Sequence, residues 1–107
     1  MAAARIRIYK RESVLKDGRR KELDPTMHFE TWCEIRNLYG KELYEALDIR
    51  LENTIVFEVR YCKKIREMQQ HLKGYFIEFE GEKYDIYASD FRRNERQYVQ
   101  LKANRKD

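Results

Sequence analysis

Hydrophobic and polar positions alternate most tightly between Tyr75 and Ala88, where the chain reads YFIEFEGEKYDIYA. Gly81-Glu82 predicts the centre of a hairpin: glycine supplies the positive φ of the first central position of a type II′ turn, so Glu80 pairs with Lys83. Counting outward sets Phe79 opposite Tyr84, Ile77 opposite Ile86 and Tyr75 opposite Ala88 on one face. A slip of one residue would turn that whole set to water. The other face carries Glu78 opposite Asp85 and Phe76 opposite Tyr87, and an aromatic pair is more than a wetted face needs. Cover by a loop or the Arg-rich tail, or contact with another subunit, would account for it.

The same reading extends along the chain. Ile6 and Ile8 alternate with charges in a first strand from Arg5 to Tyr9. Residues 15–27 turn polar, contain Asp17-Gly18 and the only proline, and read as a mobile surface loop; its Arg19, Arg20 and Lys21 could touch phosphate, although a solvated charge run is the simpler account. From His28 to Leu38, Phe29, Thr31, Cys33 and Ile35 face one way and Trp32 the other. Leu43, Ala46, Leu47 and Leu51 then recur at helical spacing, predicting a short helix over Lys41 to Leu51 with Tyr39, Tyr44 and Glu45 off its buried stripe. Thr54 to Tyr61 is the strongest strand: Ile55, Phe57, Val59 and Tyr61 hold one face, Glu58 and Arg60 the other. Ile65, Met68 and Leu72 predict a second helix over Lys63 to Leu72, ended by Gly74 as a C-terminal cap. After the hairpin and a polar connection, Val99, Leu101 and Ala103 alternate in a last strand, and the tail from Asn104 frays. Six strands with two short helical inserts argue for a mainly β chain, a small antiparallel barrel or sandwich in one domain.

Composition narrows the partners more than the fold. At 107 residues with 39% charged and 42% hydrophobic residues, the chain folds around a modest core under a crowded ionic surface. Eight tyrosines among fourteen aromatics exceed what such a core holds and suit partner surfaces. A net charge of +4 is a weak field, far from the dense basic stripe of a nucleic-acid binder. Cys33 and Cys62, with no secretory leader pattern at the start, point to a reducing compartment. With His28 and His71 they follow the order His, Cys, Cys, His, without the close pairs that zinc modules use. Glu78, Glu80, Glu82 and Asp85 crowd one turn, and solubilising a sheet edge explains them better than cation binding. No nucleophile-base pair, metal cluster or glycine-rich phosphate loop appears, so no catalytic residue and no cofactor is assigned, and no apolar run is long enough to span a membrane.

Four features, in this order and spacing over Arg5 to Ala103, then carry a resemblance: WCEI at Trp32 to Ile35; Leu38, Gly40, Glu42 and Ala46; Thr54 to Tyr61 ending in VRY; and the FIEFEGEKYDI hairpin. The chain resembles the head-tail adaptor family of tailed bacteriophages, the head-closure or stopper proteins. The resemblance implies a small antiparallel β-barrel assembling into a ring, typically twelvefold, in the virion neck between the portal-adaptor complex and the tail. It implies no catalysis, and contact with channel DNA by proximity only. It also implies that residues 37–53 project into the channel, with Tyr39, Glu42, Tyr44 and Glu45 making the contacts. Acidic groups there would repel phosphate, which suits obstruction rather than grip. Outward Phe76, Tyr87, Glu58 and Arg60 are the candidate inter-subunit residues.

Two other readings use the same residues. A small nucleic-acid-binding barrel would stack bases on Tyr and Phe and neutralise phosphates with Arg92, Arg93, Arg96, Lys102, Arg105 and Lys106, against which stands their interleaving with acids. A small basic ribonuclease of the toxin type would fit the size and charge, but such proteins usually open with helices and this chain opens with a strand.

Overall fold

The structure, a computed structural model, describes residues 3–36, 54–92 and 95–105. Six strands are present among them: β1 Ala3–Lys16, β2 Arg19–Arg36, β3 Thr54–Arg60, β4 Tyr75–Phe79, β5 Glu82–Arg92 and β6 Glu95–Arg105. Helix α1, Lys63–Gln69, and a 3-10 turn, Leu72–Gly74, lie between β3 and β4. The predicted helix over Lys41 to Leu51 falls outside the described residues.

Every neighbouring pair is antiparallel, and the order β1-β2-β3-β6-β5-β4 closes on itself. Closure comes from β1 meeting β4, with Arg7 opposite Glu78 and Lys10 opposite Tyr75. Among the described residues, a closed wall gives each of the six strands a neighbour on both sides. Alternation then decides what faces inward: Ile6 and Ile8, Cys33, Phe57 and Val59, Ile77, Tyr84 and Ile86, and Val99, Leu101 and Ala103 share one buried cluster. Phe57 is its centre, edge-on to Phe79 at 5.5 Å and to Tyr84 at 5.4 Å between ring centroids.

β3 and β4 stand three places apart in the ring of strands, so the link between them must cross one mouth of the barrel. Helix α1 makes that crossing and adds Ile65 and Met68 to the core cluster. It ends at Gln69, short of Leu72, and the chain tightens into the 3-10 turn. Gly74 matters there for space rather than for a left-handed cap: a Cβ would lie 2.7 Å from the His71 ring. Arg36 and Thr54, which flank residues 37–53, sit at the opposite mouth, as does the β4–β5 turn.

The hairpin register differs from the sequence-based one. Glu80 and Gly81 both have positive φ, 51° and 79°, the signature of a type I′ turn. Phe79 therefore lies opposite Glu82, Ile77 opposite Tyr84 and Phe76 opposite Asp85. Each partner moves by two positions, which keeps every side chain on its expected face, so alternation alone could not tell the registers apart. Farther along β5, Ile86 faces Ala103 and Ala88 faces Lys102, leaving Tyr87 as the extra residue of a β-bulge. That bulge turns Ala88 outward, contrary to the expected inward placement.

The polar stretch expected as a loop is instead paired strand. Asp17 and Gly18, at φ 54° and 76°, form a second type I′ turn, and Lys16 to Glu12 pair with Arg19 to Leu23. Two register irregularities separate this ribbon from the barrel wall, between Ile8 and Tyr9 and between Lys10 and Glu12. The second accommodates Pro25, a residue that strands admit at bulges. The first leaves His28 over, and its ring tucks against Tyr75 at 4.8 Å with Nε2 2.9 Å from the Lys64 carbonyl oxygen of α1.

Candidate interaction surface

Outward side chains on a closed barrel have two fates, cover by their own chain or display, and the structure sorts the predicted contact residues accordingly. Phe76 is 5% exposed. Tyr9 stacks on it at 5.4 Å and 16°, while the Arg11 guanidinium and the Lys83 ammonium each lie 5.2 Å from the ring centroid. Arg11 is fixed in turn, donating to the carbonyl oxygens of Lys73 at 2.7 Å and Tyr75 at 3.0 Å and pairing with Asp85. The expected pairing of Phe76 with Tyr87 is not formed, and Phe76 is covered from within its own chain.

Glu58 is likewise interior, at 3% exposure. It stands directly opposite Glu34, and Arg36 reconciles the two carboxylates, with Nε 2.5 Å from Glu58 and Nη2 3.5 Å from Glu34. A carboxylate taken out of water needs such a partner. Tyr87 and Arg60, by contrast, are displayed, Tyr87 at 38% exposure on its bulge. Tyr39, Glu42, Tyr44 and Glu45 lie outside the described residues.

Sequence reasoning assigned Trp32 to the outward face without naming it as a contact residue. It is 60% exposed, the largest displayed side chain on the barrel wall, with the Arg5 guanidinium 5.3 Å over its ring. The signal was legible as a tryptophan on the charged side of an alternating strand. Around it runs a surface network: Glu30 accepts from Arg5 at 2.7 Å and from Arg7 at 2.9 Å. Those two donors hold the Glu30 carboxyl below its ordinary range, and Glu30 in turn raises Arg7.

Where the ribbon leaves the body, an open groove of about 540 Å³ forms between Arg20 and Glu22 on one side and Lys73, Lys83 and Asp85 on the other. Lys102, one of the cations a nucleic-acid reading would need, lies 3.3 Å from Asp90. Among the described residues no group of three or more His, Cys, Asp or Glu is arranged to hold a metal ion, and no helix is long and apolar enough to cross a membrane. What the wall can do chemically is display rigid aromatic and charged groups to another macromolecule.

The described residues form a closed antiparallel barrel with large side chains, Trp32 above all, displayed on its outer wall. The chain belongs to the phage head completion protein family, whose model matches residues 3–106. Comparison with curated proteins gave no match. The family is structural rather than enzymatic, which gives this protein a structural role in the phage head and partners among other head and tail proteins.

Proposed function

We propose that the protein completes the DNA-filled head by forming a ring of identical copies in the virion neck, joining the portal-adaptor complex to the tail. The observation that carries this reading is the match of nearly the whole chain to the head completion family, on a closed barrel with displayed groups on opposite walls. A rigid body of this kind suits a ring, because heterologous contacts between different patches close when the rotation per copy allows it. Residues 37–53 complete the proposal, with Tyr39, Glu42, Tyr44 and Glu45 meeting the channel. Arg36 and Thr54, which flank that segment, lie at the mouth opposite α1. Channel DNA is then a neighbour by proximity, the ring being twelvefold in the virion and assembled in the host cytoplasm.

The test is electron microscopy of tailless DNA-filled heads incubated with the purified protein. A ring at the portal vertex, with heads that retain DNA and accept tails, is the expected result. A bare portal vertex at saturating protein would overturn the proposal.

A further inference from the structure

Most cations on the barrel wall are already spent on carboxylates of their own chain: Arg5 and Arg7 hold Glu30, Arg11 holds Asp85 and Lys102 holds Asp90. The tip of the β1–β2 ribbon is different. Lys16 to Lys21 carries four cations against one carboxylate, Asp17 of the turn. Lys16, Arg19, Arg20 and Lys21 are all exposed and make no ion pair among the described residues. The register sets Lys16 directly opposite Arg19 and Val14 opposite Lys21, so Lys16, Arg19 and Lys21 share one face of the tip with no carboxylate between them. Glu12, the next carboxylate on that face, lies towards the root and accepts from the Thr26 hydroxyl. Like charges set directly across a ladder repel, and an anion seated between them removes that cost. Charges kept only for solubility would serve in either sign, yet the ribbon's other acids, Glu22 and Asp24, also lie on the root side of the four cations.

We propose that the ribbon tip binds the phosphate backbone of duplex DNA through Lys16, Arg19 and Lys21, with Arg20 beside them on the other face. The demand for a polyanion comes from the tip alone; that the polyanion is DNA rests on the reading of the protein as a component of the DNA-filled head. Shape agrees with this ligand. The strand from Arg11 to Lys16 carries the tip about 20 Å from its root, and the major groove of a duplex, about 12 Å wide, admits a two-stranded ribbon. Backbone contacts of this kind position a protein on DNA without selecting a sequence. The ribbon leaves the barrel at the mouth that α1 crosses, where Arg11 holds the Lys73 and Tyr75 carbonyl oxygens. This contact is therefore separate from residues 37–53 at the other mouth, and it makes DNA a ligand rather than only a neighbour.

The test is fluorescence anisotropy of the full chain with a short labelled duplex of arbitrary sequence, between about 50 and 200 mM salt. Each phosphate neutralised contributes about −0.9 to the slope of log affinity against log salt, so the unaltered protein should give a slope of about −3. The triple variant Lys16→Gln, Arg19→Gln, Lys21→Gln should keep the melting curve, lose most of that slope and bind on the order of 10-fold or more weakly at the low-salt end. Lys63→Gln, Lys64→Gln, Arg66→Gln removes as many exposed cations from α1 and should change the slope by less than about 1. Equal losses from the two triples would mean attraction to net charge alone and would overturn the proposal. So would a flat salt dependence of the unaltered protein. Displacement of the duplex by polyglutamate at matched charge would assign the tip to acidic protein surfaces and overturn it too. In each of these cases rings on tailless DNA-filled heads would leave the head-completion reading standing. The expected slopes together with bare heads would keep the ribbon site and remove that reading.

Discussion

The same two strands, β1 and β2, run first as barrel wall and then as a free ribbon. In the wall, Ile6 and Ile8 of β1 and Phe29, Cys33 and Ile35 of β2 lie side by side on the inward face, alternating with outward residues. In the ribbon, every residue from Arg11 to Met27 is exposed apart from half-buried Glu12, whose carboxylate accepts from the Thr26 hydroxyl at 3.1 Å. Val14, Leu15, Leu23 and Met27 are displayed there and have no core to enter. Backbone pairing and turn chemistry are therefore enough to extend a strand, while alternation is needed only where a face is buried. Two-stranded ribbons are marginal by themselves, so this one depends on its root. There Tyr9 stacks on Phe76, Arg11 holds the start of β4, and His28 reaches α1.

The largest expected contrast comes from truncating one side chain in each half. Phe57→Ala, at the centre of the wall, should lower the unfolding free energy by about 3–5 kcal/mol. Leu15→Ala, in the ribbon, should change it by less than about 0.5 kcal/mol. Urea denaturation of both variants checks this, and equal effects would mean that the ribbon unfolds as part of the core.

A finer contrast uses the two matching turns. Gly18 and Gly81 have nearly the same positive φ, 76° and 79°, and a Cβ at either would meet no atom within 4 Å. Alanine at each therefore introduces the same backbone strain, about 1 kcal/mol, with no steric difference. Gly81→Ala should lower global stability by that amount, because β4 and β5 are wall strands. Gly18→Ala should leave the global transition in place and only speed amide exchange between Glu12 and Leu23, since the ribbon residues, largely exposed, contribute nothing to the core cluster. Native-state hydrogen exchange separates the two outcomes.

The smallest effect is a matter of pH. Burial in the wall pushes the Cys33 thiol up from 9.0 to about 11. The native state then holds a proton that the unfolded chain releases, so this contribution to stability is complete below pH 9.0 and is lost as pH rises towards about 11. At pH 8, iodoacetamide should modify a Ser13→Cys probe in the exposed ribbon at once, half-buried Cys62 more slowly, and Cys33 only as the barrel opens. Prompt labelling of Cys33 in the folded protein would refute the assignment.

Much of the wall was legible in the sequence because a strand's period of two names a face without reference to anything distant. Ile6, Ile8, Phe57, Val59, Ile77, Val99 and Leu101 identify themselves that way, and the spacing of Ile65 and Met68 marks the helix that joins them. The ribbon was not legible, since its polar run carries no period and only Asp17-Gly18 hinted at a hairpin. Nor was the β4–β5 register, because a shift of two preserves the pattern that would have betrayed it. Of the predicted contact residues, the sequence placed Phe76, Glu58, Tyr87 and Arg60 outward but could not say which of them stay displayed. That choice belongs to groups remote along the chain: Tyr9 and Arg11 reach Phe76, and Arg36 reaches Glu58. Local chemistry thus determined which side of the sheet each residue occupies. Only closure of the sheet, which brings distant strands side by side and inserts a bulge at Tyr87, decided which outward residues are left for another molecule to find.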